Sequence, residues 1–139
     1  MTNFDAVDNY LNRDHSTDFW SDDGIGTAQS MVRRLSPSEM MLLKETWRQR
    51  SEAWQARCAE AVWCGAPAIA LEILVDMIDA GGRIVRVAAA DSLREVDLAA
   101  MSLEQTQTVK RRVLEALAEP NDVVDSSTLR LLLNELDKL

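Results

Sequence analysis

Residues 74–96 read LVDMIDAGGRIVRVAAADSLREV, and their order decides the fold. An apolar run stops at Gly81-Gly82, and a second apolar series, Val85, Ala88, Ala89 and Leu93, starts at once with helical spacing. Two helices joined by so short a glycine turn fold back on one another. Upstream, residues 67–79 are apolar at Ile69, Ala70, Leu71, Ile73, Leu74, Val75, Met77 and Ile78, and Pro67 suits the first helical position. The interruptions, Glu72, Asp76 and Asp79, fall at i, i+4 and i+7 and make one narrow stripe. This pattern predicts a central helix, buried on most sides and exposed along an acidic line.

The same signals recur outward from this pair. Ser36-Pro37-Ser38-Glu39 combines a capping serine, a proline at the first helical position and a glutamate at the third. The helix it opens carries Met40, Leu43 and Trp47 inward and is expected to break at residues 49–51, where Ser51 caps a successor bearing Trp54, Cys58 and Ala61. Gly65 stops that helix. A first helix is predicted from Asn3 as cap to about Arg13, with Phe4, Val7, Tyr10 and Leu11 on one side. The aperiodic stretch DHSTDFWSDDGIG, residues 14–26, reads as a loop with at most one helical turn, and a short helix with Ile25, Val32 and Leu35 inward follows it. Beyond residue 96, Ser102 caps a helix whose inner face is read as Leu103, Val113, Leu114 and Leu117, with Gln105, Thr108, Arg112 and Glu115 facing away. Pro120 closes it, and Leu129, Leu132, Leu133 and Leu136 mark the last helix.

Six to eight short helices and no strand are therefore expected in one all-α domain of 139 residues, in three parts. Residues 1–35 form acidic helices and a loop, residues 36–96 the core, and residues 97–139 the closing helices. A net charge of -8 repels phosphate backbones and acidic lipids, so neither nucleic acid nor a membrane is the expected partner. The amino terminus shows no basic region followed by an apolar core, and no apolar run approaches the roughly 20 residues of a membrane span, which points to the cytoplasm. Cys58 and Cys64 lie six apart, about 240° around a helix, and read as reduced packing residues.

Catalysis finds little to work with. His15 is the one imidazole, beside Asp14 and Asp18 in the predicted loop, and reads as a solvated side chain. Gly24 and Gly26 are followed by no Lys-Ser or Lys-Thr pair, and there is no His-Glu-x-x-His. Glu72, Asp76 and Asp79 lack the Glu-x-x-His pairs that accompany metal pairs in helical bundles, and pairing with Arg83, Arg86 or Arg57 is the better reading. No catalytic residue, metal or cofactor is expected, and the chain reads as something other than an enzyme.

Residues 74–96 resemble a HEAT-type repeat: an apolar helix, a short turn, then Val85-Arg86 followed by Ala88, Ala89 and Leu93, with Ser92 where a small apolar residue is usual. The resemblance implies a compact right-handed stack of short antiparallel helix pairs. The order Trp47, Ser51-Glu52-Ala53-Trp54-Gln55, Arg57 and Ala59-Glu60 before this pair is similar to small bacterial immunity proteins, the antidotes of contact-dependent or polymorphic toxins. That likeness implies a protein partner, a cognate toxin domain, with the oligomeric state left open. If the toxin were a nuclease, concentrated carboxylates would cover its cationic cleft. Residues 1–23 hold Asp5, Asp8, Asp14, Asp18, Asp22 and Asp23 against Arg13 alone. Asp14, Asp18, Asp22, Asp23 and the stripe Glu72, Asp76 and Asp79 are the candidate contacts, with Trp20 as a desolvated anchor ringed by charge. Between the two aromatics, Phe19 is the better candidate for a lid folded onto the helices. A helical-repeat adaptor that binds a peptide or helix of another protein is the competing expectation.

Overall fold

The computed structural model describes residues 1–139, of which 80% are helical and none lies in a strand. Eight helices follow in order: α1 Asn3–Leu11, α2 over residues 17–33, α3 Pro37–Thr46, α4 Glu52–Ala61, α5 Pro67–Ala80, α6 Arg83–Leu93, α7 Leu103–Ala118 and α8 Val123–Asp137. Short 3-10 turns at Trp47–Gln49, Val62–Cys64 and Leu98–Ala100 make three of the corners. The odd-numbered helices pack in sequence as one layer and the even-numbered helices as a second, so each antiparallel pair adds one rung to an all-helical stack.

Local chemistry sets most of the boundaries. Ser36 and Ser102 close capping boxes with Glu39 and Gln105, and Ser51 accepts from Trp54 N–H, so helices start where the short-range signals ask for them. The predicted break at residues 49–51 is the 3-10 turn after Trp47. Thr2, rather than Asn3, caps α1 and forms a capping box with Asp5. The Glu39 carboxylate also accepts from Phe4 N–H at 2.8 Å, and these backbone donors hold its carboxyl below the usual range.

The core is one cluster of 34 buried apolar residues, centred on α5, where Ile73, Leu74, Met77 and Ile78 are fully enclosed. Across the layers α1 is held to α4 by a three-part contact. Arg50 Nε and Nη2 donate to the two oxygens of Asp8 at 2.8 Å, and Trp54 Nε1 donates to Asp8 Oδ1 at 3.0 Å. Arg57 caps the other end of α1, donating to Leu11 O at 3.0 Å and Arg13 O at 2.7 Å. Ser92 in α6 is buried because its hydroxyl donates to Ala59 O of α4 at 2.6 Å, so the departure from the repeat pattern is a polar rivet between neighbours. Both cysteines are free, and complete burial pushes the Cys58 thiol up to about 12.

Two expectations need correction. Residues 17–33 form one helix where residues 14–26 read as a loop. The turn Trp20–Gly24 is π-helical, with Ile25 N–H donating to Trp20 O five residues back, and the extra residue breaks the 3.6-residue phase. In α7 the buried residues are Val109, Val113 and Ala116, while Leu103 and Leu114 are exposed. Valine and alanine let α7 lie close to α5 and α8, and Leu103 and Leu114 share a face about 100° away from Val113.

Candidate docking groove

The acidic stripe of α5 is paired within the chain. It floors a polar cleft between α3 and α7. Lys44 Nζ lies 2.9 Å from Glu72, Arg48 4.0 Å from Asp76, and Arg112 Nε 2.9 Å from Asp79, with Arg111 at 3.9 Å from the same carboxylate. Four cations from α3, the turn after it and α7 thus face the three carboxylates of the stripe. The cations expected there work elsewhere. Arg83 faces Asp125 at 3.9 Å, Arg86 donates to Ile78 O at 2.8 Å, and Arg57 caps α1. Glu72, Asp76 and Asp79 are thus each held in an intrachain ion pair.

The N-terminal candidates divide. Asp14, Asp18, Asp22 and Asp23 are exposed on and before the first turns of α2, and none of them joins an ion pair. Trp20 is not an exposed anchor. It is 8% exposed against 45% for Phe19, the reverse of the expected assignment, and its Nε1 donates to Glu60 Oε2 of α4 at 2.6 Å. Gly24 makes this possible, because a Cβ there would stand 2.8 Å from the indole Cε3. His15 lies stacked against Phe19, with Nε2 2.8 Å from Tyr10 O, and closes the corner between α1 and α2.

A second acidic surface unites residues that are far apart in the chain. On the even-numbered layer, a groove of about 510 Å³ crosses all four helices, from Ile25 and Gln29 of α2 to Val124, Asp125 and Thr128 of α8. Its apolar walls are Ile25, Trp63, Ile84, Val87 and Val124, and Ala56 and Ala88 keep its floor low. Four carboxylates, Glu60, Asp91, Glu95 and Asp125, line it together with no lysine or arginine. Two of the four are paired by cations outside the lining: Asp91 with Arg94 at 3.2 Å, which Glu135 shares at 3.6 Å, and Asp125 with Arg83 at 3.9 Å. Glu60 has no cation at ion-pair distance. Burial raises its carboxyl above the usual range, and the Trp20 hydrogen bond opposes that shift. Asp22 and Asp23 stand three and two residues before Ile25, at the acidic start of the helix that gives the groove its first wall.

No group of three or more His, Cys, Asp or Glu side chains converges as a metal site would, and no helix is long and apolar enough to cross a membrane. Comparison with family models, curated proteins and solved structures yields no match.

Proposed function

We propose that this protein is a binding module that neutralises a cationic protein partner, the cognate toxin domain of an immunity pair, by seating part of it against the acidic groove. The observation that carries this reading is the groove itself: an apolar trough across four helices, with carboxylates on its walls and no cation among them. An interface of this kind needs apolar contact to set the dissociation rate and complementary charge to steer encounter. The unpaired Asp14, Asp18, Asp22 and Asp23 extend the negative field beyond the groove, as an antidote to a nuclease-type toxin with a phosphate-binding cleft requires.

The test is co-expression with the product of the adjacent reading frame. Protection of the host cell and recovery of a stable complex are expected. A neighbouring gene whose product is harmless and forms no complex would overturn the antidote reading. Complex formation without toxicity would point to the adaptor instead.

A further inference from the structure

Resting on that reading, we infer that the groove receives a single amphipathic helix of the partner, laid across the four even-numbered helices with lysine or arginine on both flanks of its apolar face. Length comes first. Neighbouring helices pack roughly 8 to 10 Å apart, so a trough from α2 to α8 runs about 24 to 30 Å. A helix of about 16 to 20 residues covers that distance at roughly 1.5 Å per residue.

Backbone chemistry decides the conformation of the guest. An extended peptide brings unpaired N–H and C=O groups into the trough and needs a strand edge or free polar side chains to meet them. The walls are helices, whose backbone groups are spent internally. Of the neutral polar side chains, Gln29 already donates to Glu60 O at 3.2 Å and Ser92 to Ala59 O at 2.6 Å, which leaves the Thr128 hydroxyl and the carboxylates, too few to satisfy both the N–H and the C=O groups of an extended chain. A helix satisfies its own backbone and asks only for apolar contact, which Ile25, Trp63, Ile84, Val87 and Val124 offer, above a floor lowered by Ala56 and Ala88.

Charge then fixes the flanks. Glu60, Asp91, Glu95 and Asp125 come from α4, from α6 and the turn just after it, and from α8, so they recur along the path of the guest instead of clustering at one end. Cations spaced by helical turns on the guest meet them in succession. Glu60 is the partly buried one: burial disfavours its charge, Arg57 offsets this only in part, and no cation stands at ion-pair distance.

The probe is an 18-residue Leu/Lys amphipathic peptide of about the required length, followed by the fluorescence of Trp63. The other three tryptophans, Trp20, Trp47 and Trp54, are buried. The expected result is saturable binding, at least about tenfold weaker when the groove carries Asp91→Asn, Glu95→Gln and Asp125→Asn together. The charge-matched set Glu45→Gln, Glu104→Gln and Glu119→Gln, on or beside the odd-numbered helices, should leave binding within about twofold. Trp63→Phe should abolish the fluorescence change while the peptide still binds.

Equal weakening by both sets would assign the effect to net charge and overturn the inference, as would absence of binding. A proline-interrupted peptide of the same composition that binds equally well would overturn the helical guest. Should the toxin domain bind while the peptide does not, the inference falls and the antidote reading stands. Should the peptide bind as described while no toxin domain does, the antidote reading falls and the groove keeps its guest.

Discussion

Two acidic surfaces lie on opposite layers of this stack, and they differ in what stands next to them. On α5, three carboxylates in one register are met by Lys44 and Arg48 from one side and Arg111 and Arg112 from the other. In the groove of the even-numbered layer, four carboxylates from separate parts of the chain share an apolar trough with no cation in its lining. The first arrangement pairs every carboxylate within the chain, and the second pairs Asp91 with Arg94 and Asp125 with Arg83 at its edge but leaves Glu60 and Glu95 without an ion pair. A run of like charges on a helix therefore says little about its role until the neighbouring helices are known.

The difference can be broken at its foundation. A buried indole, Trp20, holds Glu60 of the groove, whereas the stripe is held by Lys44 and Arg112. Trp20→Ala should cost about 3 to 5 kcal/mol in chemical denaturation, as loss of a buried aromatic does. Trp20→Phe, which keeps most of the packing but leaves Glu60 without its donor, should cost about 1 to 3 kcal/mol. A loss under about 0.5 kcal/mol for the alanine variant, the range of a surface substitution, would return Trp20 to the surface.

Charge reversal separates the two surfaces kinetically. Asp91→Lys with Asp125→Lys should slow association with a cationic toxin domain by about one to three decades, the span typical of variants of one interface. Glu72→Lys with Asp76→Lys changes the net charge equally and should slow it by much less, which stopped-flow mixing at low salt would resolve.

Stability should rank them the other way. Asp79→Asn removes a partner of Arg112 at 2.9 Å and should lower the unfolding midpoint slightly, a modest effect because the pair is open to solvent. Glu95→Gln breaks no ion pair and should stay within the roughly 0.5 kcal/mol of an ordinary surface change. Thermal unfolding of the two variants side by side checks the order.

The smallest effect concerns pH. Burial raises the Glu60 carboxyl above its reference value of 4.5, so the folded chain holds that proton more tightly than the unfolded one. Its contribution is complete below 4.5 and is lost as pH rises through the folded value. Glu60→Gln should therefore flatten the fall in stability over that window, and urea titrations at successive pH values would show it. Glu39, whose carboxyl is lowered, acts in the opposite sense toward acid pH and is common to both proteins, so the difference between them isolates Glu60.

What could be read in advance follows the range of the forces involved. Capping at Ser36, Ser51 and Ser102 and the turn at Gly81-Gly82 depend on residues within one helical turn, and the structure keeps them all. The apolar α5 announced itself by composition. The π turn at Trp20–Gly24 did not, because one extra residue moves Trp20 and Ile25 out of the phase that a 3.6-residue search follows. On the inner face of α7 Val113 and Leu117 lie where the periodicity puts them, but close packing takes the smaller Val109 and Ala116 in place of Leu103 and Leu114. The groove stayed hidden for a different reason: Glu60, Asp91, Glu95 and Asp125 become neighbours only when α4, α6 and α8 stack.

Chemical-shift mapping with the Leu/Lys helical peptide on isotope-labelled protein is the most direct test of the groove as the docking surface. Shifts are expected along residues 25–29, 56–63, 84–95 and 124–128, with residues 72–79 unmoved. Shifts centred on residues 72–79, or confined to residues 14–23, would contradict it.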